Sequence, residues 1–401
     1  MERELSLSEI YRASHFLKSV IRNTELIAAP SICPDSEIYL KPENLQVTGS
    51  FKVRGASYMM SQLGEEEKSH GVVACSAGNH AQGVALAAKK LGIKSIICLP
   101  EGAPISKVEA TRKYGAEICL VPGVYDDAYN YALKLKDEKN LTFVHPFDNP
   151  LVIAGQGTIG LEILDQLPDV DAIIVPIGGG GLISGVACAV KNLNPHIKVY
   201  GVQAEGAPSM LNSIKHGKIE CLKNVSAIAD GIAVKEPGKH TFEYCKRWVD
   251  DIVTVSDDEV CAAILHLLEK HKLIAEGAGA VSVAAAMFGK LPIAGKKVVC
   301  LVSGGNIDVT FLSRIISRGL KKSGRECTIV VETVDKPGQL NAVCEVIASY
   351  GANVTSISHE RTAGMANVNL CALRISMETL NDEHIAKISK ALADKGFRII
   401  E

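Results

Sequence analysis

The chain has 401 residues, of which 47% are hydrophobic and 22% are charged, and its formal net charge is −2. This length exceeds what one ordinary core holds, so two or three domains are expected. Acidic and basic residues are nearly equal in number and spread along the chain. That pattern excludes the clustered basic surface typical of nucleic-acid binding proteins. The composition is that of a soluble globular protein.

The twelve cysteines form no CxxC pair, since none stand closer than Cys245 and Cys261. Scattered cysteines, with no export signal in the charged residues 1–6, favour reduced thiols and a cytoplasmic location. Residues 172–190 are apolar enough to resemble a membrane span. They contain Pro176 and four consecutive glycines, however, which favour a buried strand, turn and helix. Neither a membrane nor a nucleic-acid partner is expected.

Between Ile38 and Val302, short β-branched runs alternate with longer helical patterns. The runs are continuously apolar, as expected of parallel strands covered on both faces. The sequence therefore predicts an α/β fold with helices packed on parallel sheets. Strands are predicted at residues 72–75, 95–99, 117–121, 172–175, 198–202 and 297–302, with helices that include 79–91 and 184–193.

The pattern changes at the short basic segment 321–325. After it the sequence predicts the βαββαβ order of a small ferredoxin-like domain. Its predicted elements are strand 327–333, helix 338–350, strands 353–359 and 366–377, helix 382–395 and strand 397–400. The chain is therefore divided into a domain of residues 1–320, a linker of residues 321–325 and a domain of residues 326–401.

Lys52 lies in the segment Ser50-Phe51-Lys52-Val53-Arg54-Gly55-Ala56, where an aromatic residue precedes it and small residues flank it. A desolvated lysine loses its charge readily, and its neutral amine can form a Schiff base with a carbonyl. Most lysines are solvated surface residues, so this segment alone makes Lys52 only a candidate.

Gly178, Gly179, Gly180 and Gly181, followed by Leu182, stand between an apolar strand and a helix. Backbone N–H groups without side chains can surround a phosphate, and a helix N-terminus adds partial positive charge. Four consecutive glycines cost more backbone entropy than an ordinary turn requires, so phosphate binding is favoured over a plain turn. The run fits neither GxGxxG nor GxxxxGK[ST], which argues against a nicotinamide dinucleotide or a nucleoside triphosphate.

Ser76, Ala77, Gly78, Asn79 and His80 follow a predicted strand and begin a helix. Free N–H groups there, together with the side chains of Ser76 and Asn79, could hold a substrate carboxylate. Simple capping of the helix explains the same residues equally well. His80 taken alone is better explained as a structural residue than as a catalytic one.

Three further segments carry polar groups. The hydroxyl of Ser303 could donate to a ring nitrogen or cap a helix. Glu276 places a carboxylate among small residues, and the sequence does not indicate its role. The segment 335–340 indicates either capture of a small ligand at a helix start or an ordinary helix initiated by proline.

Ser76, Gly178 and Ser303 each follow a strand directly. Ligands in open α/β sheets bind at the carboxyl ends of the strands, so these motifs are expected to line one crevice.

Together, and in this order, the motifs resemble the threonine dehydratases (threonine ammonia-lyases) of the fold-type II family of pyridoxal-phosphate (PLP) enzymes over nearly the whole chain. The resemblance implies a tryptophan synthase β-like fold of two parallel-sheet subdomains, the smaller one inserted at about residues 50–150. It also implies pyridoxal 5'-phosphate as cofactor and an ACT-like regulatory domain at residues 326–401.

The resemblance also assigns roles to the candidate residues. The amine of Lys52 is expected to bind the cofactor covalently and, once freed, to remove the Cα proton of the substrate. The other expected contacts are Phe51 on the pyridine ring, Asn79 at the ring hydroxyl, Ser303 at the ring nitrogen, residues 178–182 at the phosphate and residues 76–80 at the substrate.

The implied reaction is α,β-elimination of L-threonine, and of L-serine, to 2-oxobutanoate or pyruvate and ammonia, as a first step of isoleucine biosynthesis. Isoleucine or valine is the expected effector of the ACT-like domain, and a homodimer or homotetramer is the expected assembly. The alternatives are a serine dehydratase or racemase and, more distantly, a non-catalytic amino-acid sensor. Racemases carry a serine where Ala77 stands, and metal-binding carboxylates where this chain has Gln203 and Ser209, so no metal site is expected here.

Overall fold

The structure is a computed structural model that describes residues 4–361 and 369–400. Its helices and parallel sheets confirm the predicted α/β class. Internal contacts divide the chain into two compact units, with the boundary between Asp308 and Val309. Each unit is described by itself.

The strands in the described residues are β1 Ile27–Ala28, β2 Glu37–Pro42, β3 Val72–Cys75, β4 Ser95–Pro100, β5 Glu117–Val121, β6 Thr142–Phe143, β7 Ala172–Pro176, β8 Lys198–Ala204, β9 Asp251–Val255, β10 Lys297–Val302, β11 Glu326–Val334, β12 Asn353–Glu360, β13 Leu370–Glu378 and β14 Arg398–Ile399.

The α-helices in the same residues are α1 Leu7–Leu17, α2 Lys52–Ser61, α3 Glu65–His70, α4 Asn79–Leu91, α5 Ile105–Arg112, α6 Tyr125–Glu138, α7 Pro150–Gln166, α8 Gly181–Leu193, α9 Ser209–His216, α10 Lys239–Trp248, α11 Asp257–His266, α12 Gly277–Met287, α13 Val309–Lys322, α14 Gln339–Ser349 and α15 Asp382–Asp394.

The first unit contains two sheets. One has the strand order β1-β2-β10-β7-β8-β9 and is parallel except for the short pair β1–β2. The other has the order β5-β4-β3-β6 and is parallel throughout. Strands such as β3 and β7 are buried along their whole length, as their continuous apolar runs predicted.

Some elements differ from the prediction. Helix α8 begins at Gly181, three residues before the predicted start at 184, because Gly180 adopts φ +99° and ends the loop directly before it. Strand β9 lies at a sheet edge and is only partly buried, so its sequence lacks a continuous apolar run. Strands β1 and β6 have only two residues each and are too short to leave a recognisable sequence pattern.

Helix α7 connects the two halves of the first unit. It packs against α8, which covers the six-stranded sheet, and against α2, which belongs with the four-stranded sheet. Its residues Val152 to Gly160 are all buried, which is why this helix has a nearly uniform apolar sequence. The two sheets therefore share one helical layer.

The second unit begins with α13 and continues in the order β11-α14-β12-β13-α15-β14, which confirms the predicted βαββαβ arrangement. Its sheet has the order β12-β13-β11-β14 with antiparallel neighbours, and its core lies between this sheet and helices α14 and α15. Residues 366–368 of the predicted strand 366–377 lie outside the described residues. The predicted domain limits at 320 and 326 remain predictions.

No helix in the described ranges is long and apolar enough to cross a membrane. The apolar residues 172–190 form strand β7, the glycine turn and most of α8.

A network of buried charges fixes the start of α2. The guanidinium of Arg54, fully buried, donates to both carboxylate oxygens of Glu43 at 2.8 Å and to both of Glu162 at 2.5 and 2.9 Å. Lys41 binds the same Glu162 carboxylate at 2.7 Å, and Thr24 donates to Glu43 at 2.7 Å. Glu43 precedes α2 and Glu162 lies on α7, so the network ties three segments together.

The charges in this network compensate one another. Burial opposes the charge on Arg54, but Glu43 and Glu162 outweigh it and raise the pKa of the guanidinium. Burial also opposes the charge on Glu43, whose pKa nevertheless falls because Arg54 binds it. Two bidentate pairs are the geometry in which guanidinium and carboxylate groups bind most strongly.

Replacing Arg54 by methionine should destabilise the first unit by about 3–5 kcal/mol, because two buried carboxylates lose their partner. The measurement is urea unfolding followed by the fluorescence of Trp248, the one tryptophan in the chain, which lies in this unit. The control is Arg112→Met, since Arg112 forms an exposed pair worth about 0–1 kcal/mol. Equal stability losses in the two variants would contradict the structural role assigned to Arg54.

Candidate active site

Lys52 is the first residue of α2, the helix that packs against α4 and α7. The backbone N–H of Phe51 donates to the carbonyl of Ser303 at 3.1 Å, which joins this helix start to the end of β10. The Lys52 amine donates to the Pro146 carbonyl at 2.7 Å and lies 5.4 Å from the ring centroid of Phe51. The amine therefore has a fixed position beside an aromatic ring.

Burial lowers the pKa of Lys52 to about 8, although attraction to Glu276 acts in the opposite direction. Burial and the nearby Asp230 raise the pKa of Glu276 to about 7. Each group thus titrates much closer to neutrality than it would in water. An amine with such a pKa is available in its neutral, nucleophilic form near neutral pH.

A turn after β6 presents the carbonyl that holds Lys52. The N–H groups of Phe147 and Asp148 donate to Nδ1 of His145 at 3.3 and 2.7 Å, which closes the turn around Pro146. Burial lowers the pKa of His145 to about 4, so the ring stays neutral and Nδ1 keeps the lone pair that accepts these bonds. The sequence alone does not predict this turn, since His-Pro-Phe-Asp has no distinctive pattern by itself.

The same turn supports the glycine loop. A side chain at Gly179 would collide with the ring of Phe147, and one at Gly180 would lie 2.7 Å from Cβ of Thr241. The Thr241 hydroxyl donates to the Gly179 carbonyl at 2.6 Å and fixes the peptide orientation. The glycines are therefore required by close packing as well as by the φ of +99° at Gly180.

The loop has the properties of a phosphate site. No protein acceptor in the described ranges binds the N–H groups of Gly178, Gly179 or Gly180. Gly181 and Leu182 form the first turn of α8, where N–H groups have no partner within the helix. Buried N–H groups seldom remain without an acceptor, so an anion at this helix N-terminus would satisfy them.

The turn from β3 to α4 carries the second predicted motif. Asn79 donates from Nδ2 to Glu276 at 2.5 Å, and its Oδ1 accepts from Asn306 at 2.7 Å. The Ser76 hydroxyl accepts from the N–H of Gly78 at 3.1 Å. Residues 76–79 are only partly buried, whereas β3 before them is fully buried. These residues therefore border open space at the end of the strand.

Ser303 follows β10 and is buried, and its hydroxyl donates to the Ala278 carbonyl at 3.2 Å. The next residue, Gly304, accepts from the N–H of Glu276 at 3.1 Å. Glu276 thus contacts Asn79 through its side chain and the Ser303 loop through its backbone. The sequence marks this glutamate as a polar group among small residues but does not indicate its role.

His80 and Ala77 differ from the other residues of their segment. His80 is buried, its Nε2 lies 2.8 Å from the Val144 carbonyl, and burial lowers its pKa to about 3. The ring is therefore neutral, and its Nδ1 has no partner within the described residues. The methyl group of Ala77 packs against the core of the four-stranded sheet.

The N–H of Phe51 links the start of α2, and with it Lys52, to Ser303. Glu276 and Asn306 link Asn79 to the loop that begins at Ser303. The turn at Pro146 links Lys52 to the glycine loop. This set offers an amine, an amide, a hydroxyl and a row of open N–H groups. They match the aldehyde, ring hydroxyl, ring nitrogen and phosphate of PLP, so the residues present fit that cofactor.

Comparison with known proteins agrees with this chemistry. Residues 17–304 match the family described as "Pyridoxal-phosphate dependent enzyme". The chain is 48% identical over 398 residues to an L-threonine ammonia-lyase of Thermotoga maritima, a match that covers 98% of this chain and 99% of the relative.

Two solved structures are similar in fold. Threonine deaminase isoform 2 of Solanum lycopersicum, in its processed form, has a TM-score of 0.74 at 37% identity, over 79% of this chain and 90% of that one. Maize serine racemase has a TM-score of 0.75 at 35% identity, over 80% of this chain and 99% of that one. The protein uses pyridoxal phosphate, and the chain belongs to the pyridoxal-phosphate dependent enzymes, in the group that includes the L-threonine ammonia-lyases.

Proposed function

We propose that this chain eliminates water from L-threonine, after which water hydrolyses the released enamine to 2-oxobutanoate and ammonia, with L-serine as a second substrate that gives pyruvate. The observation that carries the proposal is the amine of Lys52, whose pKa is lowered to about 8 by burial and which lies among groups that fit PLP. The relative from Thermotoga maritima is named for the same reaction, over nearly the whole length of both chains.

Five groups hold the cofactor in this proposal. The N–H groups of residues 178–182 would bind the phosphate, Asn79 the ring hydroxyl and Ser303 the ring nitrogen. Phe51 would pack on the ring, and the Lys52 amine would hold the aldehyde covalently. Bound PLP supplies an electron sink for the charge that develops on Cα when its proton leaves.

Lys52 is also the base that removes the Cα proton, at its Nζ atom. A base works best when its pKa lies near the operating pH, and the burial of this amine provides that condition. The neutral hydroxyl of Ser303 does not hold a proton on the ring nitrogen as a carboxylate would. Ser303 would in this way favour loss of the β-hydroxyl over transamination or racemisation.

The turn at residues 76–80 holds the substrate. Helix α4 begins at Asn79, so free N–H groups and the Ser76 hydroxyl can bind the substrate carboxylate. His80 is placed in this group as the residue after Asn79, and its buried ring lies against the Val144 carbonyl. The open space beside these residues supports the assignment.

A serine racemase or serine dehydratase is the alternative within the same family, and maize serine racemase is indeed similar in fold. Ala77 has no hydroxyl to return a proton to Cα. Gln203 makes neutral hydrogen bonds to Leu211 and Ala207, and Ser209 is likewise uncharged. These three residues favour elimination without a divalent metal ion at that position. A non-catalytic amino-acid sensor is the more distant alternative, and the groups that fit PLP oppose it.

The C-terminal domain, residues 326–401, is proposed to be an ACT-like regulatory domain joined to residues 1–320 through the linker 321–325. It contains a cavity of about 400 Å³ at the turn from β11 to α14, where Gly338 precedes the helix. An amino acid fits a cavity of this size, with its carboxylate at the helix start. Isoleucine is proposed as an inhibitor and valine as its opponent, consistent with a role in isoleucine biosynthesis.

The enzyme is further proposed to act as a homodimer or homotetramer in the cytoplasm. All twelve cysteines are free in the structure, which supports a reducing compartment.

Lys52→Ala should abolish threonine and serine turnover and remove the visible absorbance of the bound cofactor, because no amine remains to bond to it or to take the Cα proton. The measurements are 2-oxoacid formation, the absorbance spectrum and chiral analysis of residual serine. Lys89→Ala, at an exposed position on α4, is the matched control. A colourless wild-type protein would contradict the assignment as a PLP-dependent enzyme. D-serine as the main product from L-serine would favour the serine racemase alternative.

The rate at which the cofactor-free protein recaptures PLP should rise about tenfold per pH unit and level off above about pH 8, because only the neutral Lys52 amine reacts. Glu276 attracts the charged amine, so Glu276→Gln should lower the pKa of Lys52 and move the rise to lower pH. Stopped-flow absorbance measures the rate. A rise centred near the ordinary lysine pKa of 10.5, or a shift to higher pH in Glu276→Gln, would contradict the assignment.

Gly338→Ala should weaken the response to isoleucine and valine, because Gly338 lines the cavity at the start of α14 and the substitution adds a methyl group to that lining. The measurement is threonine turnover titrated with each amino acid. Gly351→Ala is a matched control, since Gly351 also has positive φ and open space around it but does not line the cavity. No response of the wild-type enzyme to either amino acid would reject the effector proposal.

A further inference from the structure

Three side chains with metal-binding atoms meet at one end of the sheet in the second unit. Asp335 follows β11 directly, His359 lies on β12 and Cys371 on β13, and these strands are neighbours in the order β12-β13-β11. One ligand atom of each residue lies within 4.8 Å of the other two. They all line the cavity of about 400 Å³ at the start of α14.

The sheet register explains why these residues converge. Cys371 pairs with Thr333 across the antiparallel ladder, and His359 pairs with Leu373, two residues after Cys371. Residues two apart on a strand point to the same face. The side chains of His359 and Cys371 are therefore on one face of the sheet, and Asp335 joins them from the end of the neighbouring strand.

An arginine orients the carboxylate. Nε of Arg361 lies 3.1 Å from Oδ2 of Asp335, whereas Oδ1 of the same group lies 3.8 Å from Nε2 of His359. The second distance is too long for a hydrogen bond. Asp335 is thus held by one oxygen while the other faces the histidine. Carboxylate ligands of metals are commonly oriented in this way by a group that binds their other oxygen.

We propose that Asp335, His359 and Cys371 bind a divalent transition-metal cation of the zinc class, with the fourth coordination position open to the cavity. A thiolate, an imidazole and a carboxylate together suit zinc, whereas magnesium and calcium require oxygen ligands. The deprotonated aspartate and cysteine offer two negative charges, which compensate the charge of the cation. The site lies outside the PLP site and does not depend on the proposed lyase activity.

The geometry requires little adjustment. Around tetrahedral zinc a carboxylate oxygen and an imidazole nitrogen lie roughly 3.3 to 3.4 Å apart, because both bond lengths are about 2.0 to 2.1 Å. The separation of 3.8 Å between Asp335 and His359 needs to shorten by only a few tenths of an ångström to reach that value. Cys371 is buried at the base of the cavity, and the other two residues are exposed at its mouth, so a cation can enter from solvent.

The test is a titration of the full-length, untagged holoenzyme with Co²⁺ after treatment with a chelator, followed by displacement with Zn²⁺. One equivalent of Co²⁺ per chain should produce tetrahedral d–d bands and a thiolate charge-transfer band, and Zn²⁺ should remove both. In Cys371→Ser the charge-transfer band should disappear and Zn²⁺ affinity should fall by at least about tenfold. In His359→Ala, affinity should fall similarly while the charge-transfer band persists at saturation.

Cys344→Ser is the matched control, because Cys344 lies in the same unit but outside the cavity. Its titration should equal that of the wild type. Circular dichroism of each variant shows that the domain is folded. The proposal is overturned if the wild type gives no charge-transfer band, or if Cys371→Ser binds Co²⁺ as the wild type does. Threonine turnover measured on the same samples keeps this result separate from the fate of the proposed lyase function.

Discussion

The burial of one lysine amine is the constraint on which the rest of the site depends. In water the Lys52 amine would be charged at neutral pH and unable to act as nucleophile or base. Burial lowers its pKa to about 8, but a buried amine also needs a hydrogen-bond partner, which the Pro146 carbonyl supplies. Glu276 acts in the opposite direction and limits the shift. The amine is therefore reactive near neutrality while its position stays defined.

Holding that amine requires the start of α2 to be immobile. The N–H of Phe51 is bound by Ser303 at the end of β10, and Arg54 is bound by carboxylates before α2 and on α7. Two of these contacts come from the half of the unit that carries the six-stranded sheet. The buried ions cost desolvation energy, and their value is best understood as fixing one geometry. The hypothesis is that they align Lys52 with the cofactor.

The C-terminal unit also gathers polar side chains at the ends of its strands, but with different chemical groups. Its sheet brings three metal-binding side chains together beside a helix start, and an arginine fixes one of them. A single cavity is thus proposed to take both an amino-acid carboxylate at the helix start and a cation on these three side chains. In both units, polar groups lie at strand ends, where the backbone ladder stops and side chains face open space.

The sequence by itself determined most elements and the outline of the PLP site. Continuous apolar runs specify buried parallel strands such as β3 and β7, and the four glycines specify the loop before α8, because these signals depend only on neighbouring residues. The local segment made Lys52 a candidate, and its role came from the resemblance that the combined motifs carry. The weak elements β1 and β6, two residues each, left no local signal.

Only the tertiary structure decided the partners of these residues. Pro146 lies 94 positions from Lys52, and Glu276 lies 197 positions from Asn79. No local pattern records such a pairing, because it arises when two sheets and their helices pack. The roles of Arg54 and of the cluster at Asp335 also depend on which strands and helices become neighbours. Sequence specified the chemical groups, and the packing of the fold set their pKa values and their partners.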